Sequence, residues 1–175
     1  MRAMDCADYI VDMAIERDLN ITNLQLQKAL YVFAAEYRRL YSGEYPYDTD
    51  RIMAWNYGPV IPNVYREYKS YESCPITEVS KHEEFDINTC EFIEHRYDSV
   101  ENIDDVICPN YRQIVEDNLE NFLNLNIFKV VDFTHKQNFW SDHHREIYVY
   151  DNVEYPIEEI TLDNMDLVQF IRSME

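Results

Sequence analysis

The sequence predicts a mainly α-helical, compact domain with a few short β-strands. Apolar residues recur at helical spacing in several long segments, glycine and proline are scarce at two and six positions, and every extended-looking segment is only a few residues long. With 46% apolar residues, 15 tyrosines and 8 phenylalanines, a chain of 175 residues can bury a sizeable core as a single domain over 1–175. No linker, internal repeat or low-complexity tract divides it.

Residues 3–17 read as the first helix, because Ala3, Cys6, Ile10, Met13 and Ala14 share a face, with Leu19-Asn20 as its exit. A second helix starts at Thr22. That residue can cap the first turn, Gln25 can reach back to it, and Ile21 can pack on Leu26 as a staple. Leu26, Leu30, Phe33, Tyr37 and Tyr41 form its apolar stripe, the longest in the chain, so this helix is expected at the centre. Gly43 should end it. Arg51 to Tyr57 has an extended character, strand or loop, and Gly58-Pro59 reads as a tight turn. Pro62 suits the first turn of a helix running to about Tyr71. Residues 22–71 thus make one supersecondary unit.

Within residues 74–107, the stretches 75–79 and 91–94 look like short strands or edges separated by acidic and polar residues. A helix from Asn110 to Leu125 buries Ile114, Val115, Leu119, Phe122 and Leu123, and a short helix or turn covers Ile127 to Thr134. Ile147 to Tyr150 suggests a strand, Pro156-Ile157 the start of a turn or helical turn, and Asn164 to Ser173 a terminal helix.

Charge is distributed unevenly. Residues 1–71 carry 10 acidic and 8 basic side chains, and residues 72–175 carry 24 and 7, so nearly all of the net −19 lies in the second half. Such a field repels nucleic acid and anionic lipid and speeds encounter with a basic partner. A generic solubility charge is the plain alternative. The acid-rich first 20 residues resemble neither a signal nor a transit peptide, and no apolar run approaches the roughly 20 residues that span a bilayer. A soluble, cytoplasmic protein without membrane contact is expected. Cys6, Cys74, Cys90 and Cys108 form no CxxC pair and are expected to be reduced packing residues.

Two glycines leave no room for a glycine-rich phosphate loop, and neither a Gly-x-Ser-x-Gly elbow nor a His-Glu-x-x-His pattern is present. The best imitation of a reactive centre is His135 with Asp142-His143-His144. A DHH run is seen in metal-dependent phosphoesterases, but the further ligand motifs are missing, and the plainer reading is a polar loop anchored by Trp140. Glu83-Glu84, Asp104-Asp105 and Glu158-Glu159 read as solvated pairs. No catalytic residue, metal or cofactor is assigned, and an enzyme is the least favoured class.

Thr22-Asn23-Leu24-Gln25-Leu26-Gln27-Lys28 through Leu30-Tyr31, then Ala54 to Pro62 with Trp55, Tyr57, Gly58 and Pro59, and Val64-Tyr65-Arg66, resemble the signature of the Panacea domain, the SocA-like or phage-associated GepA-like family. Phe133-Thr134-His135 with Trp140, and Pro156 to Ile160, resemble its later motifs, while residues 74–107 match it weakly and look like an insertion or a divergent segment. The resemblance implies a compact helical fold and the antitoxin of a bacterial or prophage-encoded toxin–antitoxin pair. The partner it implies is a cognate protein toxin, such as a toxic small alarmone synthetase or another toxin handling RNA or nucleotides, bound directly, with assembly into a higher-order toxin–antitoxin complex as a further expectation. An adaptor delivering the toxin to a protease, and an acidic phage protein mimicking nucleic acid, are the rival readings.

A toxin handling RNA or nucleotides needs a basic surface, which the acidic half suits. No direct binding to DNA or RNA by this chain alone is expected. The candidate contacts are Tyr65, Tyr68 and Tyr71, read as one face that either packs in the core or binds protein, and the acids Glu154, Glu158, Glu159, Asp163 and Asp166.

Overall fold

The computed structural model describes every residue except 96, 99–101 and 151–152, and describes 82–86 and 93–95 by their backbone. Its elements in order are α1 (Ala3–Glu16), α2 (Asn23–Leu40), β1 (Met53–Trp55), β2 (Gly58–Val60), α3 (Pro62–Tyr68), β3 (His82–Asp86), β4 (Glu91–His95), α4 (Pro109–Leu123), α5 (Ile127–Lys136), α6 (Asn138–Tyr150), β5 (Val153–Glu154) and α7 (Leu167–Met174). The fold is mainly helical, as expected.

The capping box at the start of α2 is complete. Thr22 accepts from the Gln25 amide, and the Gln25 side chain accepts from the Thr22 amide. The burial of α2 exceeds a stripe: Leu26 through Glu36 are all buried, because α1, α3, α4, α5, α7 and β2 surround the helix. Hydrophobic enclosure on all sides makes α2 the axis of the domain. Tyr41 follows the helix as its C-cap, and the Gly43 amide returns to the Arg38 carbonyl at 2.8 Å. The left-handed residue in this closure is Ser42, with φ 55°, preceding Gly43 at φ 86°. α1 ends the same way without any glycine, through Asp18 at φ 54° and a Leu19 amide bonded to Ala14.

β1 and β2 form an antiparallel hairpin in register Met53↔Val60 and Trp55↔Gly58, and β5 pairs on the other side of β1. Neither Asn56 nor Tyr57 takes a positive φ, whereas Gly58 lies at φ 88°. The reversal is thus completed by a left-handed glycine after the turn, a recognised short hairpin closure. β3 and β4 form a separate hairpin with Glu83↔Glu94 and Asp86↔Glu91 in register.

Several local expectations are corrected. Residues 147–150 belong to the last turn of α6, since Ile147 alone is buried there and a helix lets Tyr148, Val149 and Tyr150 project outward. Residues 75–79 form a loop anchored by the Ile76 amide on the Ile21 carbonyl, while 91–95 is a strand. His135 and Asp142-His143-His144 lie on α5 and α6 instead of a loop. The terminal helix begins at Leu167, because Asp166 is its N-cap. Among the cysteines, Cys6 is buried, Cys108 is intermediate, and Cys74 and Cys90 are exposed, so packing accounts for only part of the set; all four are free.

Five tyrosines, Tyr31, Tyr47, Tyr68, Tyr111 and Tyr155, are fully buried. Most anchor their hydroxyls internally: Tyr47 donates to the Leu30 carbonyl at 2.7 Å and meets the Tyr111 hydroxyl at 2.7 Å. Burial drives these phenols well above their ordinary pKa.

Candidate partner-binding site

Leu26, Lys28, Leu30 and Tyr31 lie within about one and a half turns of α2 and are all fully buried. A lysine in that position needs a reason. Its Nζ donates to the Pro59 carbonyl at 2.8 Å, which joins the axis of the domain to β2. Desolvation lowers its pKa from 10.5 to about 7. Of the other buried charged residues, Asp5 pairs with Arg2, Glu36 pairs with Arg39, and Asp8 accepts from the Tyr68 hydroxyl.

Gly58 is required here on two grounds. Its φ of 88° disfavours any side chain, and a Cβ would collide with Thr134 Oγ1 and lie 3.3 Å from Lys28 Nζ. Thr134, fully buried on α5, turns its hydroxyl back to Val131 and leaves the space that β2 enters. His135 stacks on Trp140 with ring centroids 3.8 Å apart and planes at 18°. Trp140 Nε1 donates to the Trp55 carbonyl at 3.1 Å. The hairpin is thereby held by α2, α5 and α6 together.

This support displays a cleft of about 390 Å³ lined by Leu24, Trp55, Tyr57, Val60, Tyr65 and Phe128, with Asn23 and Gln27 at its floor and Lys69 and Glu72 beside it. Tyr57 is 62% exposed and Phe128 59%, while Tyr65 packs edge-on against Trp55 with centroids 5.1 Å apart. The floor amides are engaged within the protein. Gln27 donates to Asn23 Oδ1 and accepts from the Ile61 amide at 2.9 Å, and Asn23 donates to the Tyr65 carbonyl at 3.1 Å. The surface left to an incoming group is chiefly aromatic and aliphatic.

The three tyrosines read as one face do not form one. Tyr65 belongs to the cleft, whereas Tyr68 points the other way, is 1% exposed, and donates to Asp8 at 2.6 Å. Tyr71 is half-buried beside Tyr68. The reason is local. Pro62 opens a helix of only seven residues, whose inner side meets α1 while Tyr65 is left on its outer side. Tyr68 is therefore a core residue and not a surface contact.

The acidic candidates also separate. Glu158, Glu159 and Asp163 are exposed, and the last two border a cavity of about 330 Å³ with Lys136, Gln137 and Asn138. Glu154 pairs with Arg51 at 3.2 Å. Asp166 is engaged as the N-cap of α7, accepting from the Gln169 amide at 2.8 Å. Phe128 and Lys136 stand eight residues apart on α5, so the aromatic cleft and the acidic rim lie at opposite ends of that helix, about 12 Å along its axis.

Phe128, Leu24 and Val60 are site residues that the pattern of the sequence did not single out. Phe128 had a usable signal, since Val130, Val131 and Thr134 mark the buried face of α5 and Phe128 falls off it. His143 and His144 direct their Nδ1 atoms to the Phe139 and Ser141 carbonyls of their own helix. Among the described residues, no group of three or more His, Cys, Asp or Glu side chains could hold a metal, and no helix is long and apolar enough to cross a membrane.

The family model described as antitoxin SocA-like, Panacea domain, matches residues 26–141. The chain belongs to this family. The span matched to the Panacea domain starts at Leu26 and ends one residue beyond Trp140, so it takes in the hairpin and each buried residue that supports it. No curated protein and no solved structure matches the chain. Membership in the Panacea antitoxin family implies a toxin partner in general.

Proposed function

We propose that this chain is the antitoxin of a toxin–antitoxin pair and neutralises its toxin by direct binding, with the aromatic cleft as the anchoring surface. One observation carries this reading: exposed aromatic rings surround a cleft whose floor amides are already bonded, on a hairpin rigidly seated by buried residues. Aromatic side chains with few rotatable bonds supply contact area at low entropic cost, which is the usual make-up of binding hot spots. Tyr57 and Phe128 are the outer anchors. Trp55 and Tyr65 form the wall between them.

The acidic second half complements this role. The exposed Glu158, Glu159 and Asp163 steer a toxin with a basic surface, as expected of one that handles RNA or nucleotides, a small alarmone synthetase among them. Neutralisation then follows from occlusion of the surface on which the toxin binds its substrate.

The test is co-expression with the protein encoded by the adjacent gene. The expected result is rescue of growth together with a co-purifying complex, and loss of both with the double variant Tyr57→Ala, Phe128→Ala at unchanged fold. Rescue and complex formation by that double variant would exclude the cleft. Absence of both with the wild-type chain would exclude direct neutralisation of that neighbour.

A further inference from the structure

The hairpin that presents the cleft rests on two basic groups with little to neutralise them. Lys28 reaches it from α2 and has the Pro59 carbonyl as its hydrogen-bond acceptor. His135 approaches from α5, and its Nε2 is buried without a hydrogen-bond partner. Among the described residues, each neighbouring element contributes little compensating charge. The hairpin offers main chain, at Asn56 and Pro59; α6 offers the uncharged Trp140 ring; and α5 offers Asp132, whose exposed carboxylate acts on His135 from its own helix. α2 offers to His135 the Lys28 charge itself.

We propose that Lys28 and His135 form a proton-sensitive latch beneath the β1–β2 hairpin, which holds the aromatic cleft in shape while at most one of them is charged and releases it when mild acid charges both. A charged Lys28 and a charged His135, held against the main chain of one hairpin at Pro59 and Asn56 respectively, repel each other where water screens them poorly, and the short hairpin between them is the element that yields. Burial and the Lys28 charge both hold the His135 pKa below its ordinary 6.5, which is the direction such a coupling requires. The consequence for partner binding rests on the reading of the cleft given above. The latch itself is a property of the chain alone.

The two tryptophans of the sequence, Trp55 and Trp140, both lie in this assembly, so intrinsic emission reports on it without a label. A protonated imidazole stacked on an indole changes its emission, so titration of the isolated protein from about pH 8 to about pH 4.5 should show a step with its midpoint below 6.5. Lys28→Met should move that midpoint upward, and His135→Phe, which keeps the ring stack, should abolish the step. Amide exchange supplies the structural readout. After correction for intrinsic rates, the Gly58 and Val60 amides should exchange about tenfold faster at about pH 5.5 than at about pH 7.5, while amides in the middle of α4 do not change. In His135→Phe the hairpin amides should stay protected at both values.

A midpoint unmoved by Lys28→Met, or hairpin exchange independent of pH in the wild type, overturns the latch. Should Lys28→Met fail to fold, the wild-type exchange profile and His135→Phe decide alone. None of these measurements uses the toxin, so their failure is distinguishable from failure of the proposed function.

Discussion

Lys28 Nζ and the Pro59 carbonyl oxygen are 2.8 Å apart, a hydrogen bond between the axial helix of the domain and the strand that completes its hairpin. The contact exists only because Gly58, one residue earlier, has no side chain. Seating of the hairpin therefore depends on the glycine as much as on the lysine.

Gly58→Ala should destabilise the protein by about 2 kcal/mol or more, since a left-handed backbone costs a non-glycine residue about 1–2 kcal/mol and the clash with Thr134 adds to it. Denaturant unfolding followed by circular dichroism measures the loss. Gly43→Ala, whose Cβ would approach nothing closer than Arg38 at 3.8 Å, should cost only the backbone part.

Tyr57→Ala and Phe128→Ala should each weaken toxin binding by about 2 kcal/mol, roughly 30-fold, and leave the melting temperature unchanged, because both rings are largely exposed. Tyr68→Phe should do the reverse. Loss of its buried hydrogen bond to Asp8 should cost about 1–3 kcal/mol of stability without altering affinity at matched folded concentration. Calorimetric titration paired with thermal melts separates the two.

Reversal of Glu158 and Glu159 to lysine should slow toxin association about tenfold at low salt with little change in dissociation, the signature of steering. Asp166→Ala should instead lower stability by about 1 kcal/mol through loss of the α7 cap. Surface-binding kinetics at two salt concentrations make the comparison.

Stability should peak in mild alkali. The folded pKa of Lys28 is depressed from 10.5 to about 7, so across that window the unfolded chain binds a proton that the folded protein releases, and stability falls as pH falls. Above pH 10 the buried tyrosines act oppositely, since the unfolded chain ionises while Tyr47 and Tyr111 stay protonated, and stability falls as pH rises. Denaturant midpoints measured from about pH 7 to about pH 11 should trace this dome, and Lys28→Met should flatten its lower limb.

Much of the architecture was legible in the residues alone, wherever neighbours along the chain make the structure. The capping box of Thr22 and Gln25, Pro62 at the first turn of α3, and the left-handed Gly58 are local, so sequence spacing is enough to reveal them. Family membership was legible for the same reason. Residues 147–150 were not: alternating β-branched and aromatic side chains look like a strand, and only continuation of α6 from Trp140 made them helical.

The site was decided by tertiary structure. Spacing placed Tyr65 and Tyr68 on one helix but could not say that α1 would supply Asp8 to bury one of them, or that β1 would supply Trp55 to hold the other at the surface. Lys28 makes the same point. A lysine among apolar neighbours is expected to reach water, and it stays buried because a carbonyl 31 residues away, on a hairpin seated by a glycine, meets its amino group. Such pairings depend on which surfaces pack, and packing is a property of the folded chain as a unit.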